Sequence, residues 1–189
     1  MTDAPATMTA RADRPGHAEA LRRSGLTHIL AAFDPHVAGT PPLGLDLPGS
    51  DIDILCHAPD PGHFAAVLFA AFAGEAGFLL RQWTGAGRPV IASFGAHGWP
   101  FEIFGAAAPV VDQPGWRHFE VERRLLALGG ESLRAAVMRH RRAGLKTEPA
   151  FAAALDLVGD PYARLLDLEH QSDAALADLL IGAGYPAAR

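Results

Sequence analysis

The sequence predicts a mixed α/β domain: a mostly antiparallel sheet of five strands with flanking helices, followed by an all-helical C-terminal half. Three observations predict it. Strand-length apolar runs bounded by Gly, Pro and Asp recur as far as residue 104. Two segments of helical period are set among them. From Pro114 onward the period is helical, broken at Gly129-Gly130, Gly144, Gly159-Asp160-Pro161 and Gly182.

Residues 1–15 are small, polar and Pro-punctuated, a composition that predicts disorder. From His17 to Phe33, Ala18, Leu21, Leu26, Ile29, Leu30 and Phe33 recur at helical spacing, with Gly25 as a break. Asp34-Pro35 ends that helix, and 36–39 is the first strand. The second strand is 51–57. Asp60-Pro61 supplies an N-cap followed by Pro at the first helical position. The helix it opens carries Phe64, Val67, Leu68, Ala71 and Phe72 on one face. Strands are expected at Phe78–Thr84, Pro89–Phe94 and Trp99–Phe104, joined by Gly85-Ala86-Gly87 and a hairpin turn over Gly95–Gly98. Helices follow at 114–128, 131–143, 148–158, 161–168 and 173–182. The expected division is therefore an α/β core over 16–112 and a helical region over 113–189 packed on it.

The 189 residues are enough for one domain with a real core, and 49% apolar with 20% charged residues is the balance of a globular protein. A formal net charge of −5 does not predict an extended nucleic-acid-binding surface. The charge is uneven: Trp116 to Lys146 holds eight Lys/Arg against three Glu. Cys56 is the one cysteine, so an intrachain disulfide or a thiolate zinc site cannot form. The first residues carry Asp3 and Arg11 with no apolar run of signal-peptide type, and Phe64–Gly74 is too short to span a bilayer. The expected location is the cytoplasm.

The stretch from Val37 to Ile54 holds the pattern that points to chemistry. An apolar run ends in Gly39-Thr40, ten residues rich in Gly and Pro follow, and the chain re-enters a strand at Asp51-Ile52-Asp53-Ile54. Side chains alternate along a strand, so Asp51 and Asp53 point one way while Ile52 and Ile54 point into the core. Two carboxylates so close repel each other. A divalent cation removes the conflict, and hard oxygen ligands suit Mg²⁺, which also bridges phosphate oxygens. Gly39 and Thr40 can offer backbone N–H groups and a hydroxyl to a phosphate at close range.

These residues resemble the signature of nucleotidyltransferases of the polymerase-beta type. Those proteins carry an apolar residue, Gly-Gly or Gly-Ser, a spacer of about ten, then Asp-apolar-Asp/Glu-apolar. Here the match is Ala38-Gly39-Thr40, ten residues, then Asp51-Ile52-Asp53-Ile54, with Ser50 before the first Asp as is common there. Thr40 replaces the usual Ser, and the spacer is Pro-rich where many relatives carry Arg. More narrowly, the chain resembles the bacterial family known as domain of unknown function 4269. The segments that carry this are Gly44–Asp53, Phe101–Gly105, Arg117-His118 and Gly144–Phe151.

The resemblance implies a minimal nucleotidyltransferase fold and transfer of a nucleoside monophosphate from an NTP to an acceptor hydroxyl, on a small molecule, a protein or an RNA end. It implies a two-metal Mg²⁺ site, with Mn²⁺ as a substitute, held by Asp51, Asp53 and a third carboxylate from a later strand. Glu102 is the one acid on those strands, so it takes that place as metal ligand or base. Gly39, Thr40 and Ser50 would cradle the β- and γ-phosphates, and Arg117, His118 and Lys146 would meet phosphate or base.

Each site residue also has a plainer reading. Asp-x-Asp at a strand start is often a solvated turn, and a lone strand Glu often faces solvent or pairs with an Arg. Arg123 and Arg124 can pair with Glu120 or Glu122 at short helical spacing. Lys146, the one lysine, can be an ordinary helix-end charge, as can the basic run Arg139–Arg142. His36, His57, His63, His97, His118 and His140 are scattered without zinc spacing, and Cys56 reads as a buried core thiol. Gly85-Ala86-Gly87 precedes a strand rather than a helix, which discards it as a dinucleotide fingerprint. Two further functional classes stand beside the transferase. One is a non-catalytic nucleotide-binding or partner-binding module, such as an antitoxin-like protein of this fold. The other is a metal-dependent phosphodiesterase, which ordinarily recruits His ligands.

Overall fold

A computed structural model describes residues 14–85 and 87–185. The segment expected to be disordered lies, through residue 13, outside the described residues, as does Ala86 of the Gly85–Gly87 turn. Helix α1 (His17–Ser24) ends at Gly25, which adopts φ 63°, and a short α2 (Leu26–Ile29) and a 3-10 turn (Ala31–Phe33) complete the entry segment. Five strands follow: β1 (His36–Ala38), β2 (Ile52–His57), β3 (Ala76–Gln82), β4 (Val90–Ala96) and β5 (Trp99–Ala106). Between β1 and β2 lies α3 (Thr40–Leu43), and between β2 and β3 lies α4 (Pro61–Phe72), whose N-cap Asp60 accepts from the N–H groups of Gly62 and His63.

The sheet order is β1-β2-β5-β4-β3. The β1/β2, β5/β4 and β4/β3 pairs are antiparallel, and β2/β5 is parallel. The chain thus has the mixed, mostly antiparallel five-stranded sheet, flanking helices and helical C-terminal half that its sequence predicts. Strand ends differ from expectation for local reasons. β1 stops at Ala38 because Gly39 turns to φ 75°. β5 runs on to Ala106 because Gly105 and Ala106 pair with Cys56 and His57 across the parallel ladder. β3 begins at Ala76, ahead of Phe78, with a register irregularity between Ala76 and Leu79.

The two faces of the sheet are covered by different parts of the chain. Ile52, Ile54, Cys56, Ala92, Phe94, Phe101 and Ile103 face α4 and the entry helices, meeting Phe64, Leu68, Phe72, Leu26 and Leu30. Leu55 and Phe104 face the other way, into a core built by the helical half. That half comprises α5 (Pro114–Arg142), α6 (Thr147–Ala154), α7 (Pro161–Leu166) and α8 (Asp173–Gly182). The two helices expected at 114–128 and 131–143 abut within α5, with Gly130 non-helical between them at φ 59°, ψ −152°. Positive φ there suits a residue without Cβ. Leu43 and Leu45 from the β1–β2 connection are buried in the same core, and Arg134 donates to the Leu43 carbonyl. The Gly- and Pro-rich connection is therefore partly helical and braced by α5. Among the described residues, no helix is long and apolar enough to cross a membrane.

A carboxylate cleft between the sheet and the helical half

A cleft of about 900 Å³ runs between the second face of the sheet and the helices, lined by Gly39, Thr40, Ser50, Asp51, Asp53, Glu102, His118 and Lys146 among others. Of the sequence-predicted site residues, Arg117 alone is not in its wall.

Register makes the carboxylates neighbours. Asp53 on β2 is paired with Glu102 on β5 and, on its other side, with Ala38 on β1. Asp51 stands one residue before β2 and two before Asp53, so the expected strand start at 51 is shifted by one without separating the pair. Burial first, then the charges of Asp51 and Glu102, push the Asp53 carboxyl up to about 7. Burial and Asp51 also push Glu102 up, opposed by Arg81, whose guanidinium lies 3.5 Å away. The arginine that the plainer reading of Glu102 requires is therefore present, in an ion pair near half-exposed on both sides.

Gly39 lets Asp53 sit where it does. A Cβ at Gly39 would fall inside contact distance of Asp53 Oδ2 and 2.9 Å from its Cγ, and φ 75° is itself strained for any other residue. Gly39 caps the single turn of α3, and Pro41 and Pro42 in that turn carry no N–H. The backbone donors this turn can offer are therefore those of Gly39 and Thr40. Ser50 closes the next turn: the Leu47 N–H donates to its Oγ at 2.9 Å, and its own N–H donates to the Leu47 carbonyl at 2.9 Å. The Ser50 hydroxyl proton remains available to a ligand oxygen.

On the helical wall, His118 is buried, with Nε2 3.0 Å from the Tyr162 carbonyl. Lys146 is exposed at the N-terminus of α6. Arg117 points elsewhere: its Nε donates to both Glu169 oxygens at 3.0 and 2.9 Å, tying α5 to the segment after α7. Arg123 pairs with Glu120 at helical spacing as expected. Arg124 instead crosses to Asp173 and to the carbonyls of Glu169 and Gln171, and Glu122 is buried away from both arginines. Cys56 is a buried core thiol, pushed up to about 12 by burial and by Asp34.

Sequence reasoning missed Gln113, Glu122, Arg141 and Glu148 in the wall. Gly115, His118, Phe119 and Glu122 form a stripe at helical spacing along the cleft face of α5. An acid on a stripe that continues into buried Leu125 and Leu126 was the available signal.

Whether the carboxylates suit a divalent cation can be judged from their chemistry. Among the described residues, no group of three His, Cys, Asp or Glu side chains is drawn together as a ready-made metal cage. Mg²⁺ is ordinarily held by one or two carboxylates, with water and substrate phosphates completing its shell. Asp51 and Asp53 fit that demand, and the repulsion that raises Asp53 is the kind a cation relieves.

A family described as "Domain of unknown function (DUF4269)" matches residues 19–168. No curated protein matches the sequence. Among solved structures, the fold resembles that in the structure of the GLD-2/RNP-8 complex, with TM-score 0.52 and 10% identity over 88% of this chain and 73% of that one. It also resembles the Cid1 poly(U) polymerase with MgGTP bound, with TM-score 0.54 and 14% identity over 82% of this chain and 49% of that one. A structure of Cid1 described for its RNA terminal uridylyl transferase activity matches with TM-score 0.51 and 14% identity, over 78% and 45% of the two chains. The chain thus spans about half the length of the Cid1 chains. These likenesses show a nucleotidyltransferase-like fold.

Proposed function

This chain belongs to the DUF4269 family, and we propose that it is a metal-dependent nucleotidyltransferase that moves a nucleoside monophosphate from an NTP to an acceptor hydroxyl. One observation carries the reading: Asp53 and Glu102 are paired neighbours across the parallel β2/β5 ladder, with Asp51 beside them and Gly39 giving way to the Asp53 carboxylate.

A divalent cation, Mg²⁺ or Mn²⁺, would be held by Asp51 and Asp53 and would offset charge on the phosphates and on the attacking and leaving oxygens. The rest is work for the chain's own groups. The N–H groups of Gly39 and Thr40 and the hydroxyls of Thr40 and Ser50 orient the β- and γ-phosphates. Lys146 adds a point charge at the rim. The acceptor oxygen bonds to the α-phosphorus as the bond from that phosphorus to the bridging oxygen breaks, releasing pyrophosphate. Glu102 accepts the hydroxyl proton. Its partial exposure lets an acceptor reach it, and its raised pKa makes it a better base than an ordinary carboxylate. His118 is held by the Tyr162 carbonyl in the wall facing these groups and positions the ligand there.

The test is binding of Mg²⁺-NTP to the purified protein and to its Asp51→Asn/Asp53→Asn variant. The proposal expects the affinity to collapse in the variant. Equal affinity in the two proteins would remove the carboxylate assignment.

A further inference from the structure

Three buried side-chain atoms of cleft-lining residues lie unpartnered: Gln113 Oε1 at the start of α5 and, farther along the helical wall, two of opposite character on Glu122 and Arg141. Glu122 is 5% exposed and its Oε1 has no hydrogen-bond partner. Arg141, brought back from the far end of α5, donates through one terminal nitrogen to Thr147 Oγ1, but its Nε has no partner. Both line the cleft. Glu148 and Asp46 also lie within electrostatic reach of Arg141, and Glu148 within reach of Glu122. Burial raises the Glu122 carboxyl well above its ordinary range and lowers Arg141, and the attraction between the two side chains only partly opposes it. An acid and a guanidinium serving packing alone would be better replaced by apolar side chains. A buried carboxylate and the buried Nε of a half-buried guanidinium, both unsatisfied and lining a cleft, are suited to a ligand that satisfies both.

We propose that Glu122 and Arg141 form the subsite that takes the base of the donor nucleotide, and that their pattern selects guanine. This rests on the nucleotidyltransferase reading above. Guanine presents two adjacent donors, N1–H and N2–H, beside the acceptor O6. A carboxylate accepts from both donors at once while the guanidinium donates to O6. Adenine and cytosine present one donor beside an acceptor, and uracil sets its N–H between two carbonyls that a carboxylate repels. The position agrees with a donor base rather than an acceptor. Glu102, the proposed base, opens toward the sheet edge, where Arg81 and Trp83 are exposed, whereas Glu122 and Arg141 stand on the opposite, helical wall.

The experiment measures Kd for GTP, ATP, UTP and CTP with Mg²⁺ on wild type, Glu122→Gln and Arg141→Lys, with thermal melts alongside. Wild type should bind GTP about ten- to a hundredfold more tightly than the other three. Glu122→Gln should melt no lower than wild type and bring GTP down to the level of the others while leaving those unchanged. Calorimetry in two buffers of different ionisation heat adds a readout that a merely structural Glu122 would not move. GTP binding should release more protons from wild type than from Glu122→Gln, because the loss linked to Mg²⁺ at Asp53 is common to both. Equal binding of all four nucleotides, lost in Asp51→Asn/Asp53→Asn, would overturn this inference and leave the transferase reading standing. A GTP preference that survives Glu122→Gln would overturn it too. Failure to bind any NTP would remove both.

Discussion

Asp53→Asn keeps the shape of the side chain and removes its charge, so it measures how far the crowded carboxylates destabilise the metal-free protein. Burial, Asp51 and Glu102 hold this carboxyl at about 7, against an ordinary 3.8. Between those values the folded protein keeps a proton that the unfolded chain has released, so stability falls as pH rises through the window. Below it both states are protonated and the penalty vanishes. Above it both are ionised and the penalty is complete. The separation corresponds to up to about 4 kcal/mol at pH 8 and about 2 kcal/mol at pH 5. For a chain of this size, 1 kcal/mol moves Tm by about 2–4 °C. Calorimetry in a chelator should therefore show Asp53→Asn melting roughly 8–16 °C above wild type at pH 8 and by about half that margin at pH 5. Added Mg²⁺ should raise wild type and leave the variant where it is, closing the gap. A variant that melts at or below wild type at pH 8, or a gap that does not shrink at pH 5, would refute the electrostatic account of the cleft.

Gly39→Ala sets a Cβ against the Asp53 carboxylate at positive φ, so it should lower stability by about 1–3 kcal/mol and weaken Mg²⁺-NTP binding together, read by melting and titration. Arg117→Ala removes a partly exposed pair with Glu169, so it should lower Tm only slightly without moving the nucleotide Kd. An NTP affinity that tracks Arg117 would return that residue to the site. Cys56 is buried with its thiol held up to about 12, so a thiol reagent at pH 8 should label it at the rate of unfolding and no faster.

The fold was legible where local chemistry decides it. Asp60-Pro61 announced α4, Gly25 and Gly130 marked breaks, and the Phe101-Ile103 alternation placed β5 with Glu102 on the opposite face. The Asp51/Asp53 pair and its Gly-Thr turn were legible for the same reason. What remained hidden depends on contacts far apart in sequence. The turn at Thr40–Leu43 forms because Leu43 and Leu45 have a helical core to enter and Arg134 has a carbonyl to meet. Arg124 finds Asp173 rather than its neighbour Glu122 because α8 returns beside α5. Glu122 and Arg141 lie 19 positions apart on one nominal helix, and they share a wall because the chain turns at Gly130. Arg117 was read as a ligand from its place in a motif, and the proximity of Glu169, which engages it, is set by tertiary packing.

Transfer of a nucleotide from the carboxylate cleft can be followed directly. The direct measurement incubates the protein with Mg²⁺, each of the four NTPs labelled at the α-phosphate, and cell extract as a source of acceptors, and then follows the label. Label should appear on an acceptor, with one nucleotide favoured, and should be abolished by Asp53→Asn. Absence of transfer with every nucleotide while Mg²⁺-NTP is bound, or transfer that survives Asp53→Asn, would contradict the proposed function.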